Sequence, residues 1–389
     1  MTTTNFLALL HMLVSLLDKW HRTFGSASPE VIVRAPGRVN IIGEHTDYNE
    51  GWVLPGAMSR YIYILISRNE GAGHHWIASD LDQEIQMAEQ VIEYGEYSWA
   101  RYIQGAISLY SPGIGPLRML IGGDLPVGAG ISSSSALVCG VLFGLQQITG
   151  GQETKMDLAI FGSRVEREVI GLQGGIMDQF AIMLCQPEHV MLLDCRTREY
   201  RHIDARLPAS RWILVNTRVR HHLIDSDYNR RADECQQAVA LVQAQFPGVQ
   251  SLRDVTMQML RRVKLPDILT KRSTFVVQEN DRVHQMKEAL QQHDAVRAGD
   301  LLKASHEGLR YQYEVSCAEL DHLADFANSF PGVYGARMMG GGFGGCVICL
   351  LQESAFSGFS TKIMASYFER FGFEPEVIPF SLSEGVQLV

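Results

Sequence analysis

Ala35-Pro-Gly-Arg-Val-Asn-Ile-Ile-Gly-Glu-His-Thr-Asp-Tyr-Asn-Glu-Gly-Trp-Val-Leu-Pro55 is an apolar, strand-like run that breaks into Arg38, Glu44, His45, Thr46 and Asp47. One cation, two carboxylates and an imidazole thus fall within ten residues. A core face does not interrupt itself in this way, because a buried charge is costly unless it is paired or hydrogen-bonded. A turn with solvated charges is the plain alternative. The density of titratable groups favours a polar pocket set in an apolar frame.

A second segment points to an anion. Pro126-Val-Gly-Ala-Gly-Ile-Ser-Ser-Ser-Ser-Ala136 runs into Leu137, Val138, Val141 and Leu142, so a flexible loop feeds the first turn of a helix. Glycines permit close backbone approach, the amides of a helix start are unpaired, and the macrodipole favours negative charge there. Serine hydroxyls can reach phosphate or magnesium; the alternative is a loop with serine caps. No G-x-x-x-x-G-K-[ST] occurs, which excludes a Walker-type loop. Gly340, Gly342 and Gly345 satisfy G-x-G-x-x-G but precede a strand pattern, the wrong context for a dinucleotide fold. That run reads as a tight turn bringing backbone close to a ligand or to the other glycine loop.

In Gly174-Gly-Ile-Met-Asp-Gln-Phe180, Asp178 follows two glycines amid apolar residues, as expected of a carboxylate pointing into a cleft; a helix cap is the alternative. Glu166, in Ser163-Arg-Val-Glu-Arg-Glu-Val-Ile170, reads by itself as one charge of a solvated helix face.

At 389 residues the chain is long for one core, so two domains are expected, divided near 205 into 1–205 and 206–389. The net charge of −9, without a basic run, argues against nucleic acid as a partner. Residues 6–17 are apolar but lack a basic lead and a small-residue cleavage site, so a signal peptide is not expected. Leu7, Leu10, Val14 and Leu17 instead mark one face of a docking helix. No run is long enough to span a membrane, and a cytoplasmic monomer is the expectation. Seven scattered cysteines fit reduced, buried thiols, and Cys346-Val-Ile-Cys349 lies in a strand pattern rather than a zinc or redox motif.

Strand patterns at 31–34, 61–67, 118–121, 190–194 and 213–217 alternate with helical ones at 99–110, 134–148 and 155–170. Helices are predicted at 229–245, 275–297 and 299–328, and strands at 346–351 and 375–380. The class is mixed, α/β or α+β.

The segments 36–47, 126–136 and 337–346, in this order, resemble the GHMP small-molecule kinases, and within them the galactokinase family. Gly37-Arg-Val-Asn-Ile-Ile-Gly-Glu-His-Thr-Asp-Tyr-Asn49 is similar to that family's signature. Further matches are Trp99…Tyr102-Ile-Gln-Gly105, Gly175-Ile-Met-Asp-Gln-Phe180, Asp194-Cys-Arg196, Val215-Asn-Thr217, Ser226-Asp-Tyr-Asn-Arg-Arg231 and Gly335-Ala-Arg-Met338. The resemblance implies an α+β, two-lobed GHMP kinase fold, with a left-handed βαβ unit in the N-terminal lobe and a ferredoxin-like C-terminal lobe. It implies ATP-dependent phosphorylation of the C1 hydroxyl of galactose, with Asp178 as general base and Arg38 stabilising developing charge. Glu44, His45, Thr46, Asp47, Gly175 and Tyr228 would form the sugar pocket. Gly128, Ala129, Gly130, Ile131, Ser132, Ser133 and Ser134 would cradle the ATP phosphates, Trp99 and Tyr102 would flank adenine, and Ser134 and Glu166 would ligate Mg²⁺.

Met339 and Gly56 stand where threonine and methionine are common in the family, and Arg101, Gln104 and Phe275 replace the customary asparagine, lysine and histidine. The first two put strict preference for galactose in question. A GHMP-type kinase for a different sugar or sugar derivative and a sugar- and ATP-binding sensor without turnover are the competing readings.

Overall fold

The computed structural model describes residues 3–71, 73–88, 98–220 and 224–389. Its first sheet has seven strands. In lateral order six of them are Gln387–Leu388, Val31–Asn40, Pro55–Arg68, Leu117–Gly123, Gly73–Ala78 and Gln83–Ala88; Leu382–Ser383 also pairs with Pro55–Arg68. Gly73–Ala78 and Leu117–Gly123 run parallel, and their connection contains the helix Ser98–Tyr110. The register between Val31–Asn40 and Pro55–Arg68 slips between Pro36 and Arg38, where proline has no amide to donate. The Arg38 amide there bonds the carbonyl of Ile131 instead, at 3.2 Å, which ties the strand to the glycine-serine loop.

That loop opens the helix Ser133–Thr149, which is apolar almost all round and buried accordingly. Gly140 and Gly144, one turn apart, face the sheet: a Cβ on either would lie 2.4 Å from the Cδ1 of Ile64 or Ile66. The missing side chains let the helix settle onto the strands. Its first turn is thereby fixed beside Arg38.

The second sheet is antiparallel, in the order Val333–Met339, Gly344–Gln352, Ser210–Arg220 and Glu376–Pro379. It shares a separate core, including Phe275, Tyr313, Leu323, Val347 and Tyr367, with the helices Asp267–Gln291, Ala318–Ser329 and Phe356–Phe371. A small sheet of Trp52–Val53, His189–Asp194 and Tyr200–Asp204 braces the loop that follows Asn40. Leu382–Ser383 and Gln387–Leu388 close the first sheet, although they follow the second sheet in sequence.

Several elements depart from the sequence reading. The helical pattern at 299–328 is two helices, Ala295–Gly308 and Ala318–Ser329, separated by a π-helical turn at Leu309–Tyr313. The helix expected over 155–170 ends at Arg164 and relaxes into a π-helical turn over Val165–Ile170, which carries Glu166. Helix Thr3–Phe24 buries Leu16 and Trp20, with Leu13, Leu17 and Phe24 packed beside them, whereas Leu10 and Val14 are about half exposed. The docking face is thus rotated from the one expected, and the side chain of Leu7 lies outside the described residues. All seven cysteines are free, and burial pushes the thiols of Cys346 and Cys349 up. Among the described residues no helix is long and apolar enough to cross a membrane.

Candidate active site

Eight of the residues singled out in the sequence line one cavity of about 170 Å³: Arg38, Glu44, His45, Asp47, Glu166, Gly175, Asp178 and Tyr228. At the ~10–15 Å³ that one water needs, this is room for about a dozen water-sized groups, the scale of a single sugar ring. The cavity's residues come from both halves of the chain.

At its centre Arg38 and Asp178 form a two-pronged pair, Nε to Oδ1 at 2.7 Å and Nη2 to Oδ2 at 3.1 Å. The third prong, Nη1, donates to the carbonyl of Gly130 at 2.7 Å. Burial opposes the charge on Arg38, but Asp178 outweighs it and the guanidinium is held above its ordinary pKa. Asp178 sits in the first turn of Met177–Leu184 and also accepts from the hydroxyl of Ser132. Ser132 is the residue before the helix Ser133–Thr149, with φ at 59°, and its side chain makes no cap. The amides of that helix start are left without a side-chain acceptor from Ser132.

The wall from 44 to 47 is set by backbone geometry. His45 has φ of 61°, a left-handed conformation held by Asn49 Nδ2 donating to its carbonyl at 2.9 Å. Its Nδ1 meets the Tyr48 hydroxyl at 2.8 Å, and its buried Nε2, near the Gly341 backbone, makes no well-formed hydrogen bond among the described residues. Burial, with Arg231 and Arg337 nearby, lowers the His45 pKa to about 3, so the imidazole is neutral. Asp47 is raised to about 7, first by burial and then by the negative charge of Asp178. A Cβ on Gly175 would fall 2.1 Å from Asp47 Oδ2, so only glycine leaves room for that carboxylate. Tyr228 closes the opposite side, with a Cβ on Gly341 3.3 Å from its ring.

Glu44 is held by Arg337, a residue the sequence reading quoted in a motif without a role. Arg337 is fully buried; Nη1 and Nη2 each reach Glu44 Oε1 at 3.1 Å, and Nε donates to the carbonyl of Ile41 at 3.0 Å. Nη1 also donates to the carbonyl of Met338 at 2.6 Å, and Nη2 to that of Asn40. The amide of Gly340 adds a further donor to Glu44 Oε1 at 2.9 Å. An arginine inside an apolar strand, Gly-Ala-Arg-Met-Met, was the available signal. The glycine turn after it lies against the other glycine loop: a Cβ on Gly340 would be 3.1 Å from the carbonyl of Gly130, and one on Gly345 3.2 Å from that of Ala129.

Glu166 is buried and meets Ser135, not Ser134: the Ser135 hydroxyl donates to Oε1 at 2.5 Å. Burial, then the charge of Asp178, raises the Glu166 pKa to about 7. Such a carboxylate is short of positive charge and suits a cation. The described residues hold no cluster of three or more ligating His, Cys, Asp or Glu side chains. A cation here would complete its shell with phosphate oxygens and water, the habit of Mg²⁺.

Thr46, Trp99 and Tyr102 do not reach the cavity lining, nor do Gly128 to Ser134, whose loop touches Arg38 and Asp178 instead. The Thr46 hydroxyl lies 2.8 Å from the carbonyl of Gly43 and 2.6 Å from that of Trp52, bracing the turn. Trp99 packs in the first core with its indole N–H on Gln83 Oε1 at 2.7 Å, and Tyr102 packs against the same core. Nor do the two departures in question reach it. Met339 is buried with its sulfur accepting from the Asn40 amide at 3.4 Å, and Gly56 faces Leu382.

Comparison with known proteins places this arrangement in a class. A profile of GHMP kinase N-terminal domains matches residues 101–186 and one of GHMP kinase C-terminal regions matches 286–359. A third, the galactokinase galactose-binding signature, matches 18–68. The mevalonate kinase of Methanococcus jannaschii shares the fold, with a TM-score of 0.66 at 16% identity over 92% of this chain and 99% of that one. Galactokinase of Thermotoga maritima is 37% identical over 92% of this chain and 99% of that enzyme; galactokinase of Chloroflexus aurantiacus is 35% identical over 98% of each. The galactose-complexed galactokinase of Lactococcus lactis superposes with a TM-score of 0.91 at 30% identity, covering 97% and 100% of the two chains. The chain belongs to the galactokinase family of GHMP kinases.

Proposed function

We propose that the protein transfers the γ-phosphoryl group of ATP to the C1 hydroxyl of galactose. The observation that carries this reading is the Arg38–Asp178 pair, which stands between the polar cavity and the start of the helix Ser133–Thr149. The sugar's C1 hydroxyl approaches Asp178, which accepts the proton as the oxygen–phosphorus bond forms; the bond to the β-phosphate oxygen breaks and ADP leaves. Arg38 stays protonated throughout and stabilises charge shared between that oxygen and the transferring group. Its two prongs also fix the orientation of the carboxylate.

Gly128 to Ser134 offer backbone amides and hydroxyls to the phosphates. Glu166 and the adjoining serine hydroxyls would hold Mg²⁺, which when bound neutralises charge on the β- and γ-phosphates. Glu44, the neutral His45, Asp47 and Tyr228 present acceptors and donors to ring hydroxyls. His45 Nε2, buried and without a well-formed hydrogen bond among the described residues, is one group that a sugar hydroxyl would satisfy. Four carboxylates around the cavity face two guanidiniums, Arg38 and Arg337, so a neutral sugar is favoured over a sugar acid.

The test is ADP formation by the purified protein with Mg-ATP and galactose, beside glucose, mannose, N-acetylgalactosamine, arabinose and galacturonate. Turnover with galactose and none with galacturonate is expected. Turnover only with another sugar would keep the chemistry and overturn the substrate. Binding of both ligands without ADP release would indicate a sensor.

A further inference from the structure

The loop that carries Glu44, His45 and Asp47 is gripped from outside the cavity by the helix Asp267–Gln291. Glu279 on that helix is fully buried, and its Oε1 accepts from the Gly43 amide at 3.0 Å and from the Ser305 hydroxyl at 2.7 Å. Its Oε2 accepts from Arg282 Nε at 2.6 Å. One residue on, Asn280 Oδ1 accepts from the Trp52 amide at 2.8 Å, and Asn280 Nδ2 donates to the carbonyl of Val276 at 3.1 Å. Both limbs of the loop, at 43 and at 52, are therefore tied to two consecutive residues of one helix.

The fit at Gly43 is close. Its φ is +102°, and a Cβ there would meet the carbonyl of Trp52 at 2.8 Å and Val283 Cγ2 at 2.9 Å. Apolar packing would serve a merely structural contact at lower cost than a buried carboxylate. A carboxylate here does what an apolar side chain cannot: it fixes a backbone amide one residue before Glu44. Displacements of about 1 Å at a site of positioned groups cost large factors in rate or binding.

We propose that Glu279 is a positioning residue of the sugar pocket, holding the Gly43 amide so that the side chains from 44 to 47 are presented to the ligand. Glu279 does not line the cavity itself. The proposal rests on the sugar-kinase reading of that cavity, and it ties substrate affinity to a helix that packs into both cores.

Two variants separate reach from charge. Glu279→Asp keeps the charge for Arg282 but withdraws the carboxylate from Gly43 by one methylene; Glu279→Gln keeps an oxygen within reach of Gly43 but removes the charge. Expected for Glu279→Asp is a rise of about tenfold in KM for galactose, the scale of one hydrogen bond from a buried amide, with KM for ATP unchanged and faster hydrogen exchange at the Gly43 amide. Glu279→Gln should leave the galactose KM and that exchange close to wild type. The reverse pattern would assign the residue to the Arg282 ion pair and overturn the proposal, as would two neutral variants or KM values for both substrates rising together. Should the wild-type protein not turn over galactose, the kinase reading fails, while exchange at Gly43 in the two variants still reports whether Glu279 grips the loop.

Discussion

Glu166→Gln tests the electrostatics of the candidate metal site without relying on turnover. In the folded, ligand-free protein the Glu166 carboxyl is raised from its ordinary 4.5 to about 7, chiefly by burial and then by Asp178. A carboxyl that holds its proton more tightly folded than unfolded makes stability fall as pH rises, here between about 4.5 and about 7, and that loss persists above. The gap, at ~1.36 kcal/mol per pH unit, corresponds to about 3 kcal/mol. Solvent screening takes little from it, because the side chain is buried. Glutamine keeps an acceptor for the Ser135 hydroxyl but does not ionise. Thermal unfolding near pH 5 and near pH 8 should therefore show the wild type losing several degrees more than the variant. Asp47, also raised to about 7, titrates in both proteins and cancels in the comparison. Mg-ATP at the higher pH should stabilise the wild type more than the variant, since only the wild type presents a carboxylate to the cation. Parallel curves of Tm against pH, with equal stabilisation by Mg-ATP, would refute the reasoning.

Asp178→Asn should reduce turnover by at least about a thousandfold while leaving nucleotide affinity nearly unchanged, measured by steady-state kinetics and calorimetry; a near wild-type rate would remove the base assignment. Gly175→Ala should raise KM for galactose by about tenfold or more, because the new methyl group displaces Asp47, with little change in KM for ATP.

The chemistry was legible where it was carried by residues that are costly inside a protein. Arg38, Glu44, His45 and Asp47 stood out because four titratable groups interrupt an apolar run, and the structure gathers them around one cavity. The glycine-serine loop was legible because glycine clusters followed by an apolar helix have few uses. Asp178 and Glu166 were harder, since either could have been an ordinary cap or surface charge until tertiary packing brought them beside Arg38 and Ser135. Pairing across 293 residues, as between Glu44 and Arg337, leaves no local pattern to read. Trp99 and Tyr102 carry the opposite ambiguity: two aromatics spaced three apart on a helix read as core packing, the family resemblance alone suggests that they flank adenine, and both pack against the first core. The break in the 299–328 helix was missed because the apolar pattern continues through the π-helical turn. Periodicity reports which face is buried, not whether the ladder is continuous. The doubts raised by Met339 and Gly56 came from their place in the sequence, and their side-chain positions lie away from the cavity lining.

The return of the final strands to the first sheet has a mechanical consequence. The chain passes from the first core into the second sheet before Ser210 and comes back between Pro379 and Leu382. The two crossings lie side by side, for Leu207, Arg211 and Trp212 line a single surface cavity of about 280 Å³ together with Phe380 and Leu382. Trp212, Leu214, Met339, Ile348 and Ile378 of the second sheet are themselves buried in the first core, so the two crossings join halves already fused by packing, and the walls that carry Asp178 and Tyr228 are held in one register.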